Sequence, residues 1–323
     1  MPTLCLFIAL IVLSALALEA PAQVAEGHLV NLTNTRPTQE GPPAWSPDGA
    51  KIAFTVLHEF GDSRTADIYV MKADGSDRLR LTDSPQRDDC NPAWSPDGRR
   101  LVFASWLDGQ RQIDGDLHII NADGSDQTPL TLDQAFDDRF PAWSPDGQKI
   151  ACGSRTEDGE FDVYVVDIPS GQRTRLTDHQ AWDSEPAWSP DGAQIAFSSR
   201  RDGNSEIYLM EADGSGPVNL SNNRTQDNSP AWSPRGDKLA FWSERQDAFG
   251  IFLMNPDGSG QLRLTQDSGR DDFPSWSPDG TRIVFRSFRD NNDELYLIDL
   301  TAIPSLVRPR SWGWLKATAP LGP

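Results

Sequence analysis

Apolar and polar residues alternate in short runs along most of the chain, with the period of two that is typical of half-buried β-strands. Such runs occupy residues 51–54, 101–103, 194–197 and 282–285, and Asp-Gly pairs stand between neighbouring runs. Glycine in these pairs supplies the positive φ that a tight hairpin needs. The pattern therefore predicts an all-β chain of short strands linked by hairpins.

The alternating runs belong to a unit that occurs six times. Each unit carries Pro-Ala-Trp-Ser-Pro-Asp-Gly, with Arg235 replacing Asp in one copy and Ser275 replacing Ala in another. The motif tryptophans are 44 to 49 residues apart: Trp45, Trp94, Trp143, Trp188, Trp232 and Trp276. Four-stranded propeller blades repeat every ~40–45 residues. We therefore predict one six-bladed β-propeller, with the proline-flanked tryptophan strand innermost because proline cannot donate to a ladder.

The strand count predicts how the ring closes. Every tryptophan segment is followed by a second and a third strand, but only five are followed by a fourth strand of the Leu-Thr type. A segment of that type, Leu29–Thr33, precedes the first motif. We expect this N-terminal strand to complete the sixth blade.

The two ends of the chain differ from the repeats. Residues 4–18 are almost entirely apolar, which is short for a membrane span of ~20 residues, and small residues follow at Ala20 and Ala22. We predict a signal peptide at 1–22, hence a periplasmic or secreted protein; an uncleaved anchor is the alternative, since no Lys or Arg precedes the run. The propeller should span 23–300. Residues 301–323 are predicted to form a loosely ordered tail, or alternatively a partner-binding peptide.

The net charge limits the classes of partner that the protein can bind, and the cysteine content argues against disulfides. The formal net charge is −19, which argues against nucleic acid as a partner and favours cations or basic proteins. Beyond the leader only Cys90 and Cys152 remain, too few for a disulfide framework, so we expect both to be free. Without its leader the protein should be a monomer that does not span a membrane.

Successive strands of a blade run in opposite directions, so the loops that connect them lie alternately at the two ends of the propeller. The first-to-second and third-to-fourth turns share one end of the propeller, here called the turn face. The second-to-third loops and the blade-to-blade connections share the other end, the variable face, where Leu57–Ala66 and Trp106–Gly115 should be longer loops. Binding residues concentrate on variable loops. We predict that aromatic residues of this face anchor a partner: Phe60, Trp106, Phe136, Phe140, Trp182 and Phe273.

An acidic residue also stands five positions before every motif tryptophan: Glu40, Asp89, Asp138, Asp183, Asp227 and Asp271. One interpretation is a ring that binds a cation or a basic partner at the channel mouth. Calcium is the metal to test first, because it accepts an all-oxygen shell. The other interpretation is that each carboxylate caps its own turn and that the aromatic residues cover blade ends.

Catalytic motifs are missing from the sequence. There is no Gly-x-Ser-x-Gly, no His-Glu-x-x-His and no phosphate loop, and the four histidines share no motif. Carboxylates are abundant, so composition leaves a two-carboxylate glycosidase open.

The Trp-Ser-Pro-Asp-Gly repeats and the strands of the form Ile-Tyr-x-Met-x-Ala-Asp-Gly-Ser resemble those of the TolB-type propellers across residues 29–300. The resemblance implies a six-bladed, periplasmic propeller that acts as a non-enzymatic scaffold, as in the Tol–Pal envelope system. Because TolB has an α/β domain before its propeller, the resemblance covers the propeller alone. We therefore predict an exported propeller that binds a protein or another envelope ligand on its variable face. The alternative is a carbohydrate-active enzyme, either a glycan lyase or a glycoside hydrolase.

Overall fold

The motif tryptophan ends the innermost strand of every blade. The computed structural model describes residues 29–35, 38–60, 63–107, 115–132, 136–156, 159–245, 248–266 and 269–303. The innermost strands of blades 1 to 6 are β2 (Gln39–Trp45), β6 (Arg87–Trp94), β10 (Asp137–Trp143), β14 (Asp183–Trp188), β18 (Asp227–Trp232) and β22 (Asp271–Trp276).

Three further antiparallel strands follow outward in each blade. The second strands are β3 (Lys51–Phe60), β7 (Arg100–Leu107), β11 (Lys149–Arg155), β15 (Gln194–Ser199), β19 (Leu239–Arg245) and β23 (Arg282–Ser287). The third strands are β4 (Ser63–Lys72), β8 (Asp116–Asn121), β12 (Asp162–Asp167), β16 (Glu206–Glu211), β20 (Ala248–Met254) and β24 (Glu294–Asp299). The outermost strands are β5 (Leu79–Arg80), β9 (Thr128–Pro129), β13 (Arg173–Arg175), β17 (Val218–Asn219), β21 (Leu262–Arg263) and β1 (Leu29–Asn31).

The ring closes through the N-terminal strand, as predicted. Strand β1 pairs antiparallel with β24, with Leu29 opposite Ile298 and Asn31 opposite Tyr296. Innermost strands β2 and β22 are in contact. A 3-10 turn, Leu300–Ala302, follows β24. The chain is therefore a six-bladed propeller whose last blade contains strands from both ends of the repeat region.

The repeated motif both closes a hairpin and joins neighbouring blades. Within the turn, the Ser46 hydroxyl donates to Asp48 Oδ1 at 2.6 Å and accepts from the Lys51 amide at 2.9 Å. Between blades, the indole Nε1 of Trp94 donates to the carbonyl oxygen of Ala44 at 3.2 Å. The same bond recurs at three other blade boundaries: Trp143 to Ala93, Trp232 to Ala187 and Trp276 to Ala231. One short motif thus specifies both the turn and the blade packing.

Core packing follows the second and third strands. Phe103 of β7 is fully buried and lies opposite His118 of β8, with ring centroids 5.8 Å apart. Burial lowers the pKa of His118 to about 4, so the imidazole packs as a neutral ring where other blades carry Tyr or Phe. Cys152 takes the corresponding phenylalanine position in β11. In the described chain neither Cys90 nor Cys152 forms a disulfide, as expected.

One predicted loop is a hairpin instead. Strands β3 and β4 stay paired through Leu57 and Ala66 as far as Phe60 and Ser63. In blade 2, residues 108–114 of the other predicted loop lie outside the described residues, as do the predicted signal peptide 1–22 and residues 304–323 of the tail. Within the part of the chain that is described, no helix has the length and apolarity of a membrane span.

Candidate functional site

A β-bulge interrupts every innermost strand, three residues before the motif tryptophan. Five of the six bulge residues have positive φ, between 50° and 57°: Asn91, Phe140, Glu185, Ser229 and Phe273. A non-glycine residue there is uncommon and costs on the order of 1–3 kcal/mol. Bulges re-aim side chains, and here these residues, with Pro42 of blade 1, line the central channel.

Two of these bulge residues divide the channel. The rings of Phe140 and Phe273 are stacked, with centroids 6.2 Å apart and an interplanar angle of 17°. They belong to blades 3 and 6, which are opposite in a six-membered ring. The pair therefore crosses the channel and separates the side of blades 1 and 2 from the side of blades 4 and 5.

Hydrogen bonds connect blades 4 and 5 on the other side of the channel. The Glu185 carboxylate Oε2 accepts from the Ser198 hydroxyl and from the Ser229 amide, both at 2.8 Å. Burial raises the pKa of Glu185 above its ordinary value. On this side of the channel the half-buried Glu185 side chain is therefore held by hydrogen bonds from two neighbouring strands.

The side of blades 1 and 2 is open instead and forms a cavity of about 270 Å³. The cavity exists because small residues, Gly41 and Cys90, occupy the position before the bulge in blades 1 and 2. A Cβ atom at Gly41 would lie only 2.8 Å from Thr55 Cβ. The lining residues are Gly41, Pro42, Thr55, Leu57, Cys90, Asn91, Trp106, Arg139, Phe140, Phe273 and Arg286. Because Leu57 and Trp106 lie at the ends of second strands remote from the Pro-Asp-Gly turns, the cavity belongs to the variable face.

Two arginines in this wall are oriented by buried carboxylates. Arg286 donates through Nε and Nη2 to the two oxygens of Asp272, at 2.7 and 2.5 Å, and lies over the Phe273 ring. Arg139 lies 3.0 Å from Asp137 and over the Trp106 ring. The indole of Trp106 donates to Asp137 as well, at 3.0 Å. The cavity therefore presents pre-oriented guanidinium and aromatic groups.

The six carboxylates of the predicted ring are buried and do not converge. In blades 4 to 6 each aspartate pairs with the arginine 18 residues later: Asp183 with Arg201 at 2.8 Å, Asp227 with Arg245 at 2.9 Å and Asp271 with Arg289 at 2.9 Å. In blade 3, Asp138 pairs with Arg173 at 2.6 Å. Over the described ranges, no three His, Cys, Asp or Glu side chains are placed to hold one metal ion. Calcium binding stays a prediction.

The ring members of blades 1 and 2 have a different environment. The residues 18 positions after Glu40 and Asp89 are His58 and Leu107, so the arginine is missing there. Glu40 accepts from the Thr35 hydroxyl and Asp89 from the Ser105 hydroxyl, both at 2.6 Å. Burial raises the pKa of Glu40 to about 8 and that of Asp89 to about 6. These two carboxyls are much weaker acids than ordinary ones.

The aromatic residues predicted as anchors separate into two groups. Trp106, Phe140 and Phe273 meet at the cavity. Phe136 packs edge-on against Tyr164, and Trp182 lies under Arg200. The side chain of Phe60 lies outside the described set.

The two cavity arginines and the bulge position were not predicted from the sequence. A signal for the bulge was present, since the residue three before each tryptophan varies while the motif that follows it is nearly constant.

Comparison with known proteins agrees with this architecture. The family model described as TolB beta propeller domain matches residues 23–140 and 137–307. The structure of a TolB protein from Agrobacterium tumefaciens is similar, with a TM-score of 0.65 and 25% identity over 84% of this chain and 96% of that one. No curated protein matches the chain significantly.

Two more distant structures share the fold. TolB from Acinetobacter baumannii gives a TM-score of 0.62 and 17% identity over 81% of this chain, which spans 63% of that protein. Oligogalacturonate lyase from Vibrio parahaemolyticus gives 0.59 and 14% identity over 84% of this chain and 93% of that one. The fold is therefore common to proteins with different activities.

Proposed function

The chain belongs to the TolB beta propeller domain family, and from that premise we propose that it is an exported, non-enzymatic binding propeller. Its partner, a protein or another envelope ligand, docks on the variable face over the cavity beside the Phe140–Phe273 pair. The apolar segment at residues 4–18 supports export to the periplasm or the exterior.

The observation that carries this proposal is the composition of the cavity wall. Aromatic rings and arginines beside a pocket are the residues from which binding hot spots are made. Asp137 and Asp272 already orient the two arginines, so binding would cost little side-chain entropy. Three aromatic rings, Trp106, Phe140 and Phe273, surround the same space.

The enzyme alternative has one observation in its favour. The fold is shared with oligogalacturonate lyase, and Glu185 presents a half-buried carboxyl in the channel. Glycosidases need two carboxyl groups ~5–9.5 Å apart across the bond they cleave. Among the described residues that line the cavity there is no Asp, Glu or His. The wall thus favours binding over acid–base chemistry.

The test is affinity capture from an envelope extract with variants on the two faces. Asn91→Phe should fill the cavity without unfolding the bulge, because Phe140 and Phe273 adopt the same positive φ at equivalent positions. We expect capture to fall about tenfold or more, the equivalent of ~1.4 kcal/mol. Asp48→Asn and Asp191→Asn alter turn-face residues and should leave capture unchanged.

Equal capture by all variants would exclude the cavity as the docking site. A parallel assay on polygalacturonate examines the enzyme alternative. Turnover by the wild type that is lost in Glu185→Gln would replace the binding proposal with a catalytic one.

A further inference from the structure

We infer that the cavity on the side of blades 1 and 2 binds a ring-bearing organic carboxylate, a ligand class that deepens and rests on the proposed binding function. The carboxylate would contact Arg286, with Arg139 contributing a second positive group. The ring would lie against Trp106, Phe140 and Phe273.

Charge supports an anionic ligand in spite of the net charge of −19. The cavity wall contains two arginines and, within the described chain, no acidic side chain. Asp137 contacts both Arg139 and Arg155, with Nη2 and Nε respectively at 3.0 and 3.1 Å from Oδ2, so its negative charge is divided between two guanidinium groups. A partly enclosed wall strengthens the attraction of a guanidinium group for an anion.

Hydrogen-bonding geometry supports a carboxylate in particular. Arg286 uses Nε and Nη2 for Asp272, which leaves its Nη1 without a partner among the described residues. The Asn91 side-chain amide lines the same space and makes no hydrogen bond to any residue in the described ranges. A guanidinium edge beside an amide donor suits a planar carboxylate.

The size of the cavity supports one ring. An engineered apolar cavity of ~150 Å³ holds benzene, so about 270 Å³ accommodates one six-membered ring with a short carboxylate arm. A polymer would therefore enter with a single terminal unit. Two sources share this chemistry, an aromatic acid and a uronic acid, and the probes must separate them.

The experiment is calorimetric titration of the full chain with four named probes. Phenylacetate represents the aromatic acid and D-galacturonate the uronic acid. Phenylacetamide and D-galactose are their uncharged counterparts. We expect one acid to bind at least tenfold more tightly than its uncharged counterpart, and the preferred acid identifies the source.

Two variants with matched burial test the arginine. Arg286→Lys keeps a cation beside Asp272 but removes Nη1, so the affinity for the preferred acid should fall about tenfold. Arg201→Lys is the control: Arg201 pairs with Asp183 outside the cavity, and its side chain is 15% exposed against 16% for Arg286. The control should bind like the wild type.

Cysteine modification gives an independent readout. Cys90 lines the cavity, whereas Cys152 is fully buried in the core. The bound acid should slow the reaction of Cys90 with iodoacetamide, followed by mass spectrometry of its peptide. Cys152 should stay unmodified in both conditions.

The outcomes separate the two proposals. Equal affinity for an acid and its uncharged counterpart, or equal weakening by Arg286→Lys and Arg201→Lys, would overturn the carboxylate inference. If no probe binds while Asn91→Phe still abolishes partner capture, the inference fails and the binding proposal stands. If an acid binds in the cavity but Asn91→Phe leaves capture intact, the docking proposal fails and the carboxylate site stands.

Discussion

Blades 4 to 6 and blades 1 to 2 follow the same repeat, but their buried carboxylates differ in whether an arginine of the same blade pairs with them. In blades 4 to 6, Asp183, Asp227 and Asp271 each pair with an arginine 18 residues later. In blades 1 and 2, Glu40 and Asp89 lack that arginine, and burial raises their pKa values to about 8 and 6.

The channel shows the same division. Glu185, Ser198 and Ser229 are joined by hydrogen bonds on the side of blades 4 and 5, whereas Gly41, Cys90 and their neighbours leave a cavity on the side of blades 1 and 2. The departures from the repeat therefore gather around the cavity. Local exceptions to a consistent pattern are expected at functional sites.

The largest effect should come from breaking the seam at which blade 6 meets blade 1. Deleting residues 23–34 removes β1, leaves β24 as an unpaired edge and should lower the Tm by several degrees or more. Deleting only residues 23–28 keeps β1 and is the control. An unchanged melting curve for the longer deletion would contradict closure by this strand.

The next largest effect should come from removing one arginine of the regular blades. Arg245→Met leaves the buried Asp227 without its cation and should cost about 3–5 kcal/mol in chemical denaturation. Adding Asp227→Asn should recover much of the loss. As the control, Asp89→Asn in blade 2 removes no ion pair of this type and should lower the free energy of unfolding far less. A loss equal to that of Arg245→Met would contradict the difference between the two groups of blades.

A pH-dependent effect should distinguish blade 1. The folded-state pKa of Glu40, about 8, lies above its ordinary value of 4.5, so the folded protein retains a proton that the unfolded chain releases. Stability from this group should therefore decline as pH rises from about 4.5 to 8, by on the order of a few kcal/mol. Glu40→Gln should flatten that decline in denaturation curves recorded across the range.

Asp74 provides a control of opposite sign for that experiment. Hydrogen bonds from Ser76 lower the pKa of Asp74. The contribution of Asp74 to the stability of the fold is therefore lost only as pH falls below the ordinary range of an aspartate. Asp74→Asn should leave the decline between pH 5 and 8 unchanged. An equally steep decline in Glu40→Gln would assign it to another group.

The smallest effect on stability is expected at the channel partition. Phe140→Asn gives up the stacked pair, worth about 0.5–1.5 kcal/mol, but places a residue that tolerates positive φ at 51°. The two contributions to the free energy of unfolding should nearly cancel in chemical denaturation. Binding of the preferred acid should weaken, because the contact with the Phe140 ring is lost. A loss of several kcal/mol would instead make the Phe140–Phe273 pair a structural element of the frame.

The sequence by itself determined the number of blades, the order of strands and the closing strand. These follow from contiguous signals: a two-residue alternation, Asp-Gly turns and a motif that recurs six times. Counting the motif gives the number of blades because the innermost strand that carries each copy contacts the innermost strand of the next blade.

Only the tertiary structure decided which residues form the site. Gly41, Cys90, Arg139 and Arg286 come from four blades and meet because the ring brings their strands to one channel mouth. From the sequence the six acidic residues could form a ring at the channel mouth or cap their own turns, but their burial and their arginine partners are set by packing between strands. A carboxylate's partners and pKa depend on what surrounds it in space, and a sequence pattern records only what precedes and follows it.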